Sequence, residues 1–326
     1  MTTLIKAHGS ENQFFLLDQT QLTQPLTNQE LTALAIKLCS PVTGILNGAD
    51  GLLVINHATA TDCLGQMRVI NADGSEAKMC GNGLRTVSRY LAEKYDQTTF
   101  KVETLAASLQ VHQAPDLAPH VPAFSVQIAP LSFAAAALPF HYHDLTTMMD
   151  ARIPEFIADQ RFTAVAVPNP HLISFVDHIE PAQLGQLGER LNAANPYFPE
   201  GVNVSFAEIR DTNRLFVRTY ERGVGFTNAC GTGMSATSLV FAQLYPKYFD
   251  SQRDVTVFNP GGLVKTHIDL ATPLTESRIH LIGNATFTDK VTLDEVALHQ
   301  ADLRDAHSQS TGEESAYQEF VASVTV

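Results

Sequence analysis

Short apolar runs, several of them alternating with polar residues, recur along the chain and are typical of strands packed on one side. Such runs predict strands at residues 14–17, 52–55, 100–104, 125–128, 164–167, 172–176, 215–219 and 255–258. Apolar residues at helical spacing, following polar or glycine positions, predict helices at residues 29–38, 83–95, 181–192 and 233–245. Because strands dominate and helices are few, the pattern predicts an α+β fold rather than a doubly wound one.

The chain contains an internal repeat, in which Cys80-Gly81-Asn82-Gly83 is echoed by Cys230-Gly231-Thr232-Gly233. The echo continues with serines eight residues past each cysteine and tyrosines fifteen past it, namely Ser88, Ser238, Tyr95 and Tyr245. One face of the first helix is apolar (Leu84, Val87, Leu91 and Tyr95). The second helix is apolar nearly all round, as expected for a helix buried inside a sheet. The repeat therefore predicts two homologous halves, each with strands wrapped around a central helix.

Composition narrows the class of protein. The 326 residues, 44% hydrophobic and 17% charged, are enough for two globular domains. The formal charge of −13 and the pI near 5.3 argue against nucleic-acid and membrane-surface partners, which need clusters of Lys and Arg. The chain has no apolar run of the length of a signal peptide or membrane span, so we expect a cytoplasmic protein.

Two segments look less regular than the rest. Residues 115–122 are bounded by prolines and lie between the predicted halves, which favours a linker. Residues 307–319 are rich in Ser, Gly and acidic residues, which favours a disordered or loosely packed tail.

The four cysteines do not form a metal-binding or disulfide pattern. They contain no Cys-x-x-Cys pair, and a reducing compartment disfavours disulfides. The segment at residues 141–144 (His-Tyr-His-Asp) has no matching set of ligands elsewhere, so we expect a solvated loop and no metal site. Cys39 and Cys63 lack glycine neighbours and are interpreted as structural.

Cys80 and Cys230 are the candidate reactive thiols. A cysteine at the amino end of a helix lies at the positive end of the helix dipole, which favours the thiolate. Free backbone N–H groups at the same turn can bind a carboxylate, and glycine lets it approach closely. A single Cys-Gly-x-Gly turn is more often structural, but two aligned copies favour chemistry. If the halves face each other, one thiolate could remove an α-proton while the opposite thiol delivers one.

The second motif is preceded by two charged residues suited to a zwitterionic substrate. Arg222 could bind a carboxylate through two parallel hydrogen bonds, and Glu221 could bind an ammonium group. Together with the thiols, they indicate inversion of a stereocentre in an amino acid.

At this point the residues resemble a known family. Residues 71–83 (Asn-Ala-Asp-Gly-Ser-Glu-Ala-Lys-Met-Cys-Gly-Asn-Gly) resemble the first signature of the diaminopimelate epimerases. Residues 221–225 and 229–233 resemble the second signature, and residues 168–171 and 201–204 resemble two intermediate segments, all in the family's order. The resemblance covers roughly residues 4–298.

The resemblance implies two pseudo-symmetric domains, each a barrel-like sheet around a central helix. It implies interconversion of LL- and meso-diaminopimelate without pyridoxal phosphate, metal or other cofactor, in lysine and peptidoglycan biosynthesis, by a homodimer. The final strand, near residues 281–293, is expected to return to the first domain. The implied domains are therefore residues 1–124 with 282–298, and residues 125–281, and they leave residues 299–326 as a tail of unknown role.

The resemblance also implies roles for individual residues, with Cys80 and Cys230 as the catalytic pair. Contacts with the distal carboxylate and ammonium of the substrate are implied for Asn12, Asn71, Asn169, Asn203 and Arg222. Binding of the reacting carboxylate is implied for Gly81, Asn82, Gly231 and Thr232. His171 and Glu221 are expected near the thiols, where they would position the reacting amino group.

Four positions depart from the family pattern and leave the substrate open. They are Glu11 in place of Gly, Gln13 in place of Asp, Gly51 in place of Gln and Phe226 in place of Glu. One alternative is a racemase or isomerase of the same fold that acts on another amino acid or acid. Another is a non-catalytic protein that binds an anion and uses its cysteines as a redox switch.

Overall fold

The computed structural model describes residues 1–324. In the first half of the chain, two helices each join a pair of parallel strands. The elements in this half are β1 (Thr2–Gly9), β2 (Asn12–Asp18), α1 (Asn28–Cys39), β3 (Gly51–Asn56), β4 (Gly65–Asn71), β5 (Glu76–Ala77), α2 (Gly81–Tyr95), β6 (Thr99–Glu103), β7 (Ser108–Ala118) and β8 (Val121–Ile128). Helix α1 joins the parallel strands β2 and β3, and α2 lies between the parallel strands β4 and β6. Parallel neighbours require such crossovers, whereas the other pairings in this half are antiparallel.

After one additional short strand, β9 (Ala151–Arg152), the second half repeats this order of elements. They are β10 (Arg161–Ala166), β11 (Pro170–Phe175), α3 (Pro181–Asn192), β12 (Asn203–Asp211), β13 (Arg214–Glu221), β14 (Gly225–Phe226), α4 (Gly231–Leu244), β15 (Val255–Asn259), β16 (Gly262–Asp269) and β17 (Arg278–Asn284). Here α3 joins the parallel strands β11 and β12, and α4 lies between the parallel strands β13 and β15. The predicted repeat thus extends from two short motifs to the whole topology.

The end of the chain adds β18 (Thr286–Leu293), α5 (Glu295–His299), β19 (His307–Ser310) and α6 (Glu313–Val324). Strand β18 pairs antiparallel with β1, and β19 pairs with β18. The chain forms two compact units, Met1–Val126 with Gly283–Val324, and Gln127–Ile282.

The predicted fold class is confirmed. All eight predicted strands overlap β2, β3, β6, β8, β10, β11, β13 and β15, and the four predicted helices correspond to α1–α4. The described residues 1–324 contain no helix that is both long and apolar enough to cross a membrane.

Each central helix is buried by the sheet of its own unit. Helix α4 contacts β10, β11, β12, β13, β15 and β16, and its buried residues lie on all sides. Helix α2 contacts β1, β2, β3, β4 and β7. Ser88 and Ser238 are fully buried, and their hydroxyls both donate to the carbonyl four residues earlier, at 2.6 and 2.9 Å. Tyr95 departs from the predicted apolar face, since it is 40% exposed at the helix end.

The outer helices complete a hydrophobic core in each unit. Leu31, Leu34 and Leu38 of α1 pack with apolar side chains of β2, β3 and β18. In the second unit Leu184 and Leu187 of α3 pack with apolar side chains of β10, β11 and β12. These cores fix the sheets against which the central helices lie.

The predicted linker at residues 115–122 is wrong. This segment is the end of the antiparallel hairpin β7–β8, with its turn at residues 119–120. The strand register shifts between Ala114 and Ala118, so Pro115 lies in a bulge, where a missing N–H costs no ladder hydrogen bond.

The predicted loose tail is also wrong. Strand β19 extends the first unit's sheet, and α6 buries Tyr317 and Phe320. Glu313 binds the guanidinium of Arg89 with two hydrogen bonds of 2.6 and 2.7 Å. Glu314 lies 2.9 Å from His8, whose ring also packs edge-on against Tyr317.

This packing predicts that α6 contributes to the stability of the first unit. We expect Phe320→Ala to lower the free energy of unfolding by roughly 3 kcal/mol, because it removes a buried aromatic ring. Urea denaturation measures the change, and Glu319→Ala on the exposed side of α6 is the matched control. Equal stabilities of the two variants would contradict docking of α6.

Candidate active site

Cys80 is the N-cap residue of α2, with extended backbone angles (φ −141°, ψ 113°). Its Sγ accepts a hydrogen bond from the backbone N–H of Gly83 at 3.4 Å and therefore caps the helix. A Cβ at Gly83 would lie 2.8 Å from a methyl group of Leu53, so a larger residue there would displace the buried Leu53 side chain. The thiol is partly buried at the positive end of a helix that the sheet holds in place.

A chain of polar contacts joins Cys80 to neighbouring amides. The thiol lies 3.7 Å from Oδ1 of Asn12, and Nδ2 of Asn82 donates to the same oxygen at 3.3 Å. Asn12 in turn donates through Nδ2 to Asp50 at 2.6 Å, which fixes the orientation of its amide. Three predicted site residues of the first unit therefore lie together.

The position of Asn12 depends on the tight turn between β1 and β2. Ser10 and Glu11 both have positive φ values, 53° and 64°, as in a two-residue hairpin turn with right-handed strand twist. This backbone explains why glycine is the family pattern at position 11, although Glu11 adopts it here. The adjacent Gln13 is exposed, and its backbone N–H donates to Asp50 at 2.7 Å.

Cys230 occupies the equivalent position at the amino end of α4 and is 5% exposed. A Cβ at Gly233 would lie 3.1 Å from both the Cys230 sulfur and Oγ1 of Thr219, so glycine leaves the space that the thiol fills. Oγ1 of Thr232 lies 3.7 Å from the sulfur.

His171 extends these contacts into the second unit's core. Its Nε2 lies 3.1 Å from the Thr232 hydroxyl and 3.2 Å from Oδ1 of Asn169. The ring is fully buried, and burial together with the charge of Arg222 lowers its pKa to about 3. His171 is therefore a neutral imidazole at physiological pH.

Cys230 is the thiol of the predicted thiolate and thiol pair. A helix terminus favours the thiolate, but burial and the nearby carboxylate of Glu221 raise the pKa of the Cys230 thiol well above its usual value. Glu221 itself accepts a hydrogen bond from the Thr227 hydroxyl. Desolvation dominates over the helix dipole, so Cys230 is a thiol in this state.

Asn203 and Arg222 form a second cluster in the same unit. Asn203 donates to the carbonyl of Pro170 at 3.0 Å and accepts from the backbone N–H of Arg222 at 2.9 Å. The guanidinium of Arg222 is exposed and donates to the carbonyl of Glu200 at 3.1 Å. The backbone of Arg222 is therefore held by Asn203 and its guanidinium by the carbonyl of Glu200.

Three residues singled out in the sequence lie apart from these contacts. Asn71 donates to the Ser75 hydroxyl at 2.9 Å, within its own turn. A Cβ at Gly51 would lie 2.8 Å from the carbonyl oxygen of Ile70, which explains the glycine. The Phe226 ring packs against Tyr220 and lies beneath the guanidinium of Arg218.

Sequence reasoning missed Asp50, which orients Asn12, and Thr227, which binds Glu221. Neither was among the predicted site residues, because each becomes a neighbour of its partner through the pairing of strands. Within residues 1–324 no group of three or more His, Cys, Asp or Glu side chains could hold a metal ion.

Solved structures show the same fold at low sequence identity. A phenazine biosynthesis protein of the PhzF family from Bacillus anthracis matches with a TM-score of 0.63 at 13% identity, over 89% of this chain and 97% of that one. A hydroxyproline epimerase from Agrobacterium vitis matches with a TM-score of 0.59 at 15% identity, over 95% and 92%. A methylitaconate-delta-isomerase matches with a TM-score of 0.61 at 12% identity, over 96% of each chain. The chain thus has the fold that these isomerases and PhzF proteins share.

Sequence comparison narrows this class to one family. The family model described as diaminopimelate epimerase matches residues 4–119 and 163–287. Diaminopimelate epimerases from Lactiplantibacillus plantarum and Enterococcus faecalis are 50% and 49% identical, each over 98% of both chains. One from Listeria monocytogenes serotype 4a is 43% identical, over 98% of this chain and 95% of its own. The chain belongs to the diaminopimelate epimerase family.

The buried neutral His171 predicts a pH dependence of stability. Its folded-state pKa of about 3 lies below the unfolded value of about 6.5, so between these values the unfolded chain binds more protons. The free energy of unfolding should fall as pH decreases from about 7 to about 5, by up to about 1.4 kcal/mol per pH unit. Urea denaturation of wild type and His171→Gln measures this slope.

We expect a shallower slope in His171→Gln, whereas His141→Gln, at an exposed side chain, should retain the wild-type slope. A His171→Gln slope equal to that of wild type would contradict the neutral buried imidazole.

Proposed function

We propose that this protein is a diaminopimelate epimerase that interconverts LL- and meso-diaminopimelate, with Cys80 and Cys230 as its two bases. The main support is that both thiols occupy the same position, as N-caps of buried helices in two units of equal topology. Relatives named diaminopimelate epimerase, at up to 50% identity over nearly the whole chain, support the substrate.

Inversion requires one proton to leave and another to enter on the opposite face of the α-carbon. A thiolate forms an S–H bond while the Cα–H bond breaks, and the electron pair stays on the α-carbon and its carboxylate. The second thiol then protonates the α-carbon and becomes a thiolate. The net change is one inverted centre with the two protonation states exchanged, so the reverse reaction uses the opposite roles.

The amino ends of α2 and α4 suit the reacting carboxylate. Gly81, Asn82, Gly231 and Thr232 are the first residues of these helices, where backbone N–H groups lack partners within the helix. Such donors would stabilise the negative charge that grows on the carboxylate as the α-proton leaves.

The protonation of Cys230 fits the role of proton donor. Burial and Glu221 favour the thiol, which can deliver a proton when the other cysteine has removed one. The reacting amino group would be positioned by two residues. One is the neutral imidazole of His171, which Thr232 and Asn169 hold in place, and the other is the carboxylate of Glu221.

The distal end of the substrate is assigned to Asn12, Asn71, Asn169, Asn203 and Arg222. The exposed, backbone-anchored guanidinium of Arg222 suits a second carboxylate. A second carboxylate and ammonium distinguish diaminopimelate from simpler amino acids.

The wider assignment follows from this activity. The proposed halves, residues 1–124 with 282–298 and residues 125–281, each contribute one thiol, and we propose no cofactor. Supply of meso-diaminopimelate would serve lysine and peptidoglycan biosynthesis. A cytoplasmic location and a homodimer remain part of the proposal.

Proton NMR of the reduced, metal-free protein with LL-diaminopimelate in D2O tests this function. We expect loss of the α-proton signal and formation of the meso isomer without added cofactor. Cys80→Ser and Cys230→Ser should each lower the rate of inversion by about 10²- to 10⁴-fold, the usual contribution of a general acid or base.

Cys63→Ser is the matched control, because Cys63 lies in a turn outside both helix ends and should be dispensable. Absence of exchange in folded, reduced wild-type protein would contradict the function. Turnover of lysine or proline in preference to diaminopimelate would reassign the substrate while leaving the two thiols in place.

A further inference from the structure

Arg85 is a fully buried cation on α2, five residues after Cys80. Nε donates to the carbonyl of Asn284 at 3.1 Å, and Nη2 donates to the Ser10 hydroxyl at 3.0 Å. Nη1 donates to Oδ1 of Asn82 at 3.1 Å. All three acceptors are uncharged, although a buried charge without an opposite charge is costly.

The next turn of α2 shows the usual solution. Arg89 is also largely buried, and its guanidinium binds the carboxylates of Glu93 and Glu313 at 2.6–2.7 Å. Within the described residues Arg85 forms no such ion pair. Its charge is therefore available to another anion in its surroundings, and Cys80 interacts with it electrostatically.

Hydrogen bonds also connect Arg85 to Cys80. Arg85 binds Oδ1 of Asn82, so Nδ2 of that amide must face Asn12, whose Oδ1 accepts from the Cys80 thiol at 3.7 Å. On ionisation the sulfur loses this weak contact and keeps the bond from the backbone N–H of Gly83. Glycine at position 9 makes this possible, because a Cβ there would lie 2.8 Å from both Nη2 of Arg85 and the carbonyl oxygen of Asn82.

The internal repeat between the two halves does not include Arg85. The positions in α4 equivalent to Arg85 and Arg89 are Ser235 and Leu239, both fully buried. Cys230 instead has the carboxylate of Glu221 nearby. Two cysteines in matched helix ends are thus placed beside opposite charges.

We propose that Arg85 is a positioning residue for Cys80. The unpaired buried charge of Arg85, together with the backbone N–H of Gly83 that donates to the sulfur, holds this cysteine as the thiolate. This ionisation of Cys80 does not require that the protein act on diaminopimelate or on any other substrate. Its consequence, that Cys80 is the base and Cys230 the acid in the resting enzyme, rests on the proposed function.

Other charged or titratable groups surround this pair. Tyr317 of α6 interacts with Arg85, but burial raises the pKa of this phenol well above its usual range, so it is neutral near pH 7. Glu11 interacts with Tyr317, and Asp50 accepts a hydrogen bond from Asn12, the residue whose Oδ1 faces Cys80. Neither of these carboxylates hydrogen-bonds to the Arg85 guanidinium.

Substitutions at Ser10 test the charge without removing Arg85. Ser10→Asp places a carboxylate beside Nη2, and Ser10→Asn is the neutral control of similar shape; both residue types tolerate the positive φ at this turn. Mass spectrometry after iodoacetamide treatment of the full chain gives the alkylation rate of each cysteine as a function of pH. Because the thiolate is the reactive form, we expect Ser10→Asp to slow Cys80 alkylation near pH 7 by about tenfold.

Ser10→Asn should retain the wild-type pH profile at Cys80, and neither variant should change the profile at Cys63. Arg85→Met should slow the alkylation of Cys80 as Ser10→Asp does. Arg85→Lys, which keeps a positive charge, should retain much of the wild-type alkylation rate. An unchanged Cys80 profile in folded Ser10→Asp or Arg85→Met protein would overturn the proposal. Absence of epimerase activity with the predicted alkylation profiles would count against the proposed function alone.

Discussion

The burial of a helix on all sides by its own sheet is the constraint on which this structure depends. Helices α2 and α4 cannot slide or rotate without disrupting the packing of the strands around them, so the positions of their amino ends are fixed. The N-cap residue at each end is a cysteine with an extended backbone. A side chain at Gly83 would crowd Leu53, and one at Gly233 would crowd the thiol of Cys230. The sheets thereby determine where the two sulfur atoms lie in their units.

The two units share this frame but differ in electrostatics. In the first unit Cys80 lies near Arg85 and the amides of Asn12 and Asn82. In the second unit Cys230 is buried near the carboxylate of Glu221, and the neutral His171 binds Thr232. A reaction in which one thiolate removes a proton and another thiol delivers a different proton needs such a difference, because one sulfur must begin as an anion and the other as an acid.

The sequence predicted the features that depend on residues near each other in the chain. The spacing of apolar residues predicted α4, and the repeated Cys-Gly-x-Gly turn predicted the amino ends of α2 and α4. Features that depend on distant partners were missed. Residues 307–319 looked disordered because their composition does not reveal that Glu313 pairs with Arg89, and the raised pKa of Cys230 follows from burial that a motif cannot report. For the same reason Arg85 looked like an ordinary helix residue.

The most direct test of the two-thiol account is the isotope content at Cα in the first turnover of LL-diaminopimelate in D2O. Two bases predict deuterium in the meso product, because the donating thiol has exchanged with solvent, and protium in the recovered LL substrate, because the abstracted proton returns from the thiol that took it. Protium retained in the product would mean that a single base both removes and returns the proton, and would contradict the account.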